Sequence, residues 1–155
     1  MKADRAIIIC GTARNVGKTL YAQKIIKSYS TENPIAIKIS SHFHIHKYEM
    51  KEIDVNDNYK IWQELNSDDS TDSSRMLQSG AKEVYYIESK DEFLPDVIIA
   101  LNKIINFDDR IIIESAAIRR YIEPDEFVLV YSDEYPNIKK SMKEIESLIT
   151  SKVKL

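Results

Sequence analysis

Apolar residues recur along this chain in two alternating rhythms. Short, nearly continuous runs occur at Arg5 to Cys10, Ile35 to Ile39, Lys82 to Glu88, Arg110 to Ile113 and Asp125 to Tyr131, the last reading "DEFVLVY". Runs of this length, rich in isoleucine and valine, predict strands buried on both faces. Between them the spacing turns helical. Ala22, Ile25, Ile26 and Tyr29 share a stripe over Gly17 to Tyr29, and Val97, Ile98, Leu101, Ile104 and Ile105 share another. Ile138, Met142, Ile145 and Ile149 mark a final helix, and a short helix over Arg75 to Ser79 is expected to stop at Gly80. The stretch 41–66 is polar and carries a weaker pattern, with a helix expected near Tyr59 to Leu65. "SDDSTDSS", Ser67 to Ser74, reads as a solvated loop ending in a helix cap, because such side chains compete with regular structure. Strands alternating with helices from end to end predict an α/β fold: one three-layer domain over 1–155 with a mainly parallel sheet.

Composition narrows the partners. A net charge of -3 lacks the basic surface that general nucleic-acid binding needs. The longest apolar runs, such as Val97 to Leu101, are far too short to span a bilayer, and Met1 to Cys10 lacks the apolar core of a secretion signal. The single cysteine, Cys10, rules out an intramolecular disulfide and fits a reducing, cytoplasmic setting.

The candidate chemistry sits where the first strand gives way to the first helix, in "GTARNVGKT". Gly17-Lys18-Thr19 has the composition of a phosphate-binding loop, yet the leading glycine, Gly11, stands one position earlier than the strict spacing asks, with Thr12 in its place. A triphosphate would lie on the unpaired N–H groups at the helix start, where the helix dipole also favours negative charge. The candidate binding set is Thr12, Ala13, Arg14, Asn15, Val16, Gly17, Lys18, Thr19 and Leu20. Lys18 would reach the β- and γ-phosphates, and Thr19 would offer its hydroxyl to Mg²⁺. Arg14 either touches phosphate from the side or faces solvent.

Parallel topology sorts the remaining candidates, since ligands bind at the carboxyl edge of such a sheet. Asp108 and Asp109 precede a strand and belong at the far edge, whereas Glu114 follows Ile111-Ile112-Ile113 and belongs at the near one. Glu114 is therefore the expected carboxylate on the magnesium side, the alternative being a cap for the following helix. Lys18 and Glu114 make up the candidate catalytic pair, and Thr19 and Glu114 the metal pair. Arg119 and Arg120 follow closely, either to reach an anionic ligand or as surface arginines. His42, His44 and His46 alternate in "HFHIH" and share one face if the backbone is extended. They are read as a transition-metal site or as a polar segment near the γ-phosphate. Ser132-Asp133 follows the last strand, near where a base would be read, though the pair is also a common helix start.

The loop "GTARNVGKT" resembles the phosphate loop of dethiobiotin synthetase, which also opens on Gly-Thr and closes on Val-Gly-Lys-Thr with this longer spacing. Over residues 7 to 131 the chain resembles molybdopterin-guanine dinucleotide biosynthesis protein B. The likeness rests on "AIKISSHFH" with Lys38 and His42, on "DSSRMLQSGA" with Asp72, Ser73, Arg75, Gly80 and Ala81, and on "IIIESAAIRR", where Glu114-Ser115 stands in place of Glu-Gly. The resemblance implies a small P-loop NTPase that binds a guanine nucleotide with Mg²⁺, GTP before ATP, and hydrolyses it slowly. It also implies an accessory role in molybdenum-cofactor biosynthesis or a related cofactor maturation, beside a partner enzyme and often as a homodimer. The alternative is an ATP-dependent small-molecule ligase or kinase, as the loop of dethiobiotin synthetase implies.

Overall fold

The structure is a computed structural model that describes residues 1–44, 50–68 and 70–155. Eight strands form one sheet: β1 (Lys2–Gly11), β2 (Ile35–Ser40), β3 (Lys51–Val55), β4 (Tyr59–Gln63), β5 (Glu83–Ser89), β6 (Ile111–Glu114), β7 (Glu123–Tyr131) and β8 (Ser151–Lys154). Their spatial order is β3-β4-β5-β2-β6-β1-β7-β8. All pairings from β5 across to β8 are parallel, and β4 is antiparallel to both β3 and β5. The expected α/β class with a mainly parallel sheet is what the chain adopts.

Because side chains alternate across a strand, the central strands serve two cores. One gathers Ile8, Ile37, Ile87, Ile113 and Phe127 against Leu94, Val97 and Leu101 of helix α3 (Leu94–Leu101). The other gathers Ile7, Ile9, Ala36, Val84, Ile112 and Val128 against Ala22 and Ile26 of α1 (Lys18–Ser28) and Met76 of α2 (Asp72–Gln78). Strands buried on both faces explain why the sequence shows apolar runs rather than alternation.

Four expectations change. The helix expected near Tyr59 to Leu65 is strand β4, half of a hairpin with β3. Asn56 makes the turn: its Oδ1 accepts from the N–H of Asn58 and of Tyr59, and its own N–H donates to the Tyr59 carbonyl. That local bonding sets the register against β3, and β5 supplies the other edge. The final helix over Ile138 to Ile149 is a 3-10 helix at Lys140–Leu148, in which Met142 and Ile145 are buried. A repeat of three residues per turn buries positions i and i+3 as well as an α-helix does, so the apolar spacing did not distinguish them. Strand β8, unexpected from sequence, then adds to the free edge of β7. The "SDDSTDSS" stretch is a cap only up to Thr71, whose Oγ1 accepts from the Ser74 N–H; Asp72, Ser73 and Ser74 are already helical, and both serines are buried.

Buried Glu64, at the end of β4, takes hydrogen bonds from the hydroxyls of Ser73 and Thr71 and so ties the start of α2 to the sheet. Thr71→Ala removes the cap and one of those donors, and is expected to cost about 1 kcal/mol in urea-unfolding measurements.

Candidate functional site

The loop between β1 and α1 is shaped by two left-handed residues and one close approach. Gly17, at the helix N-cap, has φ 107°, and Asn15 has φ 61°, which asparagine tolerates better than most residues. A side chain on Gly17 would also meet Leu155 Cδ1 at 2.6 Å. Gly11 is the last residue of β1, and a Cβ there would lie 2.7 Å from both Lys18 Cγ and Val16 Cγ1. Its early position in the motif therefore has a packing reason: the Lys18 stem and the buried Val16 fold back over the strand end.

Thr12, read as a binding residue, is buried and engaged with the fold. Its N–H donates to the Val130 carbonyl and its hydroxyl to the Tyr135 carbonyl. It ties the loop to the turn after β7 that contains Ser132 and Asp133. Arg14 and Asn15 form a turn, the N–H groups of Ala13, Arg14, Asn15, Gly17, Lys18 and Thr19 show no hydrogen bond among the described residues, and helical bonding begins with the Tyr21 N–H on the Gly17 carbonyl. Such a row of free amides is a ready anion cradle. Lys18 Nζ donates to the Ala13 carbonyl at 3.0 Å. Burial holds its pKa below the usual lysine range, Lys139 and Lys38 add to the depression, and Glu114 opposes it. Arg14 and Leu20 have exposed side chains.

Beside the loop lies a cluster of polar groups. Glu114 pairs with Lys38 on the adjacent strand and with Ile9 on the other side, in one register across β2, β6 and β1. Glu114 is 4% exposed; its Oε2 accepts from the Thr19 hydroxyl at 2.9 Å and its Oε1 from Lys38 Nζ at 2.9 Å. Asp72, the first residue of α2, places Oδ2 at 2.7 Å from the same Nζ. Burial alone would lower the Lys38 pKa, but Glu114 and Asp72 more than offset it and hold it above its usual range. Burial likewise pushes the Asp72 carboxyl up, and Lys38 overcomes this and holds it low.

Thus Lys18, Thr19 and Glu114 meet at one edge, as expected from sequence. Lys38 and Asp72, which the resemblance names but which stand outside the expected catalytic and metal sets, join them. The signal for Lys38 was an isolated cation inside an isoleucine strand; Asp72 was hidden in a run of similar residues. Arg119 and Arg120 point their bonds elsewhere: Arg119 donates to the Ile122 carbonyl and lies over Phe127, and Arg120 pairs with Glu144. Asp133 pairs with Lys154. His42 and His44 are exposed at the carboxyl edge with ring centroids 6.5 Å apart, and the His44 N–H donates to Glu88. His46 lies outside the described residues, and among those described no group of three or more histidine, cysteine or acidic side chains is placed to hold a metal. Cys10 is buried, and burial pushes its thiol up to about 12, so it is unreactive as a nucleophile. No helix among the described residues is long and apolar enough to cross a membrane.

Comparison with known proteins adds no family: no protein-family model, curated protein or solved structure matches the chain.

Gly17→Ala forces a side chain into the left-handed region and against Leu155, and is expected to cost at least about 1 kcal/mol by urea unfolding. Asp72 has a depressed folded pKa, so its contribution is present above the unfolded value and is lost as pH falls through the folded one. The stability difference between the natural chain and Asp72→Asn should be constant near neutrality and shrink once pH drops below about 3.9; urea titrations across that range measure it.

Proposed function

We propose that the chain is a P-loop domain that binds a purine nucleoside triphosphate with Mg²⁺ and hydrolyses it slowly. The observation that carries this reading is the convergence of free loop amides, Lys18, Thr19, Glu114 and Asp72 at one edge of a parallel sheet. The donor set suits Mg²⁺: a hydroxyl and two carboxylates are hard oxygen ligands, and this ion commonly takes one or two carboxylates together with phosphate and water. When bound, it would draw charge from the phosphate oxygens. The chain's own residues do the rest. The amides of Ala13 to Thr19 hold the phosphate tail, Lys18 neutralises it, and Thr12 keeps the loop fixed to β7. Lys38 engages both Glu114 and Asp72, and Thr19 engages Glu114, so hydrolysis would rest on positioning and charge neutralisation and would be weak. The resemblance described above favours GTP over ATP and an accessory role in cofactor maturation, with a homodimer as the assembly.

One observation favours a second reading, an ATP-dependent ligase or kinase. A cavity of about 670 Å³, lined by Phe43, Lys60, Lys90 and Phe93 together with Asp57 and Glu92, opens on the same carboxyl edge. It offers room for an anionic second substrate. Phosphate release that needs no second metabolite supports the NTPase; strict dependence on one supports the ligase or kinase.

In a thermal-shift panel of ATP, GTP, ADP and GDP with and without Mg²⁺, a triphosphate at about 100 times its Kd should add roughly 2.7 kcal/mol of stability. Lys18→Ala should abolish that gain. Stabilisation that survives Lys18→Ala unaltered would overturn the placement of the site.

A further inference from the structure

The reading of Thr19, Asp72 and Glu114 as a divalent-cation site leaves the Lys38 ammonium without a role. Lys38 Nζ lies 2.9 Å from Glu114 Oε1 and 2.7 Å from Asp72 Oδ2, and the Thr19 hydroxyl donates to the other Glu114 oxygen, Oε2. Two carboxylates, one of them also bonded to the Thr19 hydroxyl, thus converge on a position already held by one positive charge. The arrangement is built into the fold. Lys38 and Glu114 are partners in the β2–β6 register, on the face covered by α1 and α2, and the Thr71 cap starts α2 at Asp72.

We propose that Lys38 is a resident cation that occupies the divalent-cation position of the ligand-free chain and exchanges with the metal. The inference rests on the reading of this cluster as the cation site given above. Two consequences follow from electrostatics. Glu114, which is buried, and Asp72 would repel each other if nothing lay between them, so the ammonium keeps the site assembled before any ligand arrives. A metal must also displace that ammonium, because Mg²⁺ holds carboxylate oxygens at about 2.0–2.1 Å, inside the distance an ammonium allows. The metal alone therefore binds weakly, and a triphosphate, which supplies further oxygens from the loop side, tips the exchange. The released ammonium stays at the carboxyl edge beside the loop, where it adds a second lysine charge to that of Lys18 on the terminal phosphate.

Mn²⁺ binding to the nucleotide-free protein, followed by electron paramagnetic resonance, tests this directly. Lys38→Met should bind Mn²⁺ at least about tenfold tighter than the natural chain, as removal of a competing charge a few ångströms away requires. Lys38→Arg should remain weak, and Lys38→Met combined with Asp72→Asn should lose the gain. Unchanged Mn²⁺ affinity in a folded Lys38→Met protein overturns the proposal, as does a gain that persists in the double variant. Should Lys38→Met fail to fold, the natural chain decides. With ¹⁵N-labelled lysine, the Lys38 side-chain resonance should shift as Mg²⁺ saturates the site, and a resonance that stays put overturns the exchange. The two readings fail separately: nucleotide binding insensitive to Lys18→Ala removes the triphosphate site but leaves the Mn²⁺ result standing, and the converse also holds.

Discussion

The register that sets Ile9, Glu114 and Lys38 side by side on β1, β6 and β2 is the constraint on which the site depends. A parallel sheet brings every strand to the same edge, and a shift of one residue would turn Glu114 to the opposite face. The isoleucines and valines of the central strands, packed against α1, α2 and α3, hold those strands in place. The cost of burying Glu114 is met locally by Thr19 and Lys38, so its charge is compensated where it is generated.

The loop adds a second constraint, one of space. The chain has three glycines, and two of them border this loop. Gly11 is required by close packing and Gly17 by backbone conformation, which are different physical reasons. With Thr12 anchored to the turn after β7, these residues leave loop amides for which no hydrogen bond is seen among the described residues. A protein seldom leaves such groups unsatisfied without a use for them. Lys38 adds the opposite economy, a cation held ready among carboxylates that would otherwise repel.

The placement of Glu114 at the loop's edge of the sheet was legible in the sequence, since it needs only parallel strands and the position of the residue after a strand. The hairpin of β3 and β4 was harder to read. Its pairing comes from the Asn56 turn and from β5, neither of which leaves a strong periodic trace in a polar stretch. The 3-10 helix near the end of the chain shares its burial spacing with an α-helix, and β8 is short and half-exposed, so pattern alone missed both.

By itself the sequence determined the alternation of strands and helices, the parallel class of the sheet, and the loop with its lysine and threonine. These follow from periodicity, glycine placement and neighbouring residues, all of which are local. Tertiary structure alone decided that Asp72 meets Lys38, that Thr12 serves as an anchor, and that Arg119 and Arg120 turn away from the loop. Those outcomes depend on contacts between residues far apart along the chain, fixed by how α2 and β7 pack on the sheet, and no local pattern encodes that distance.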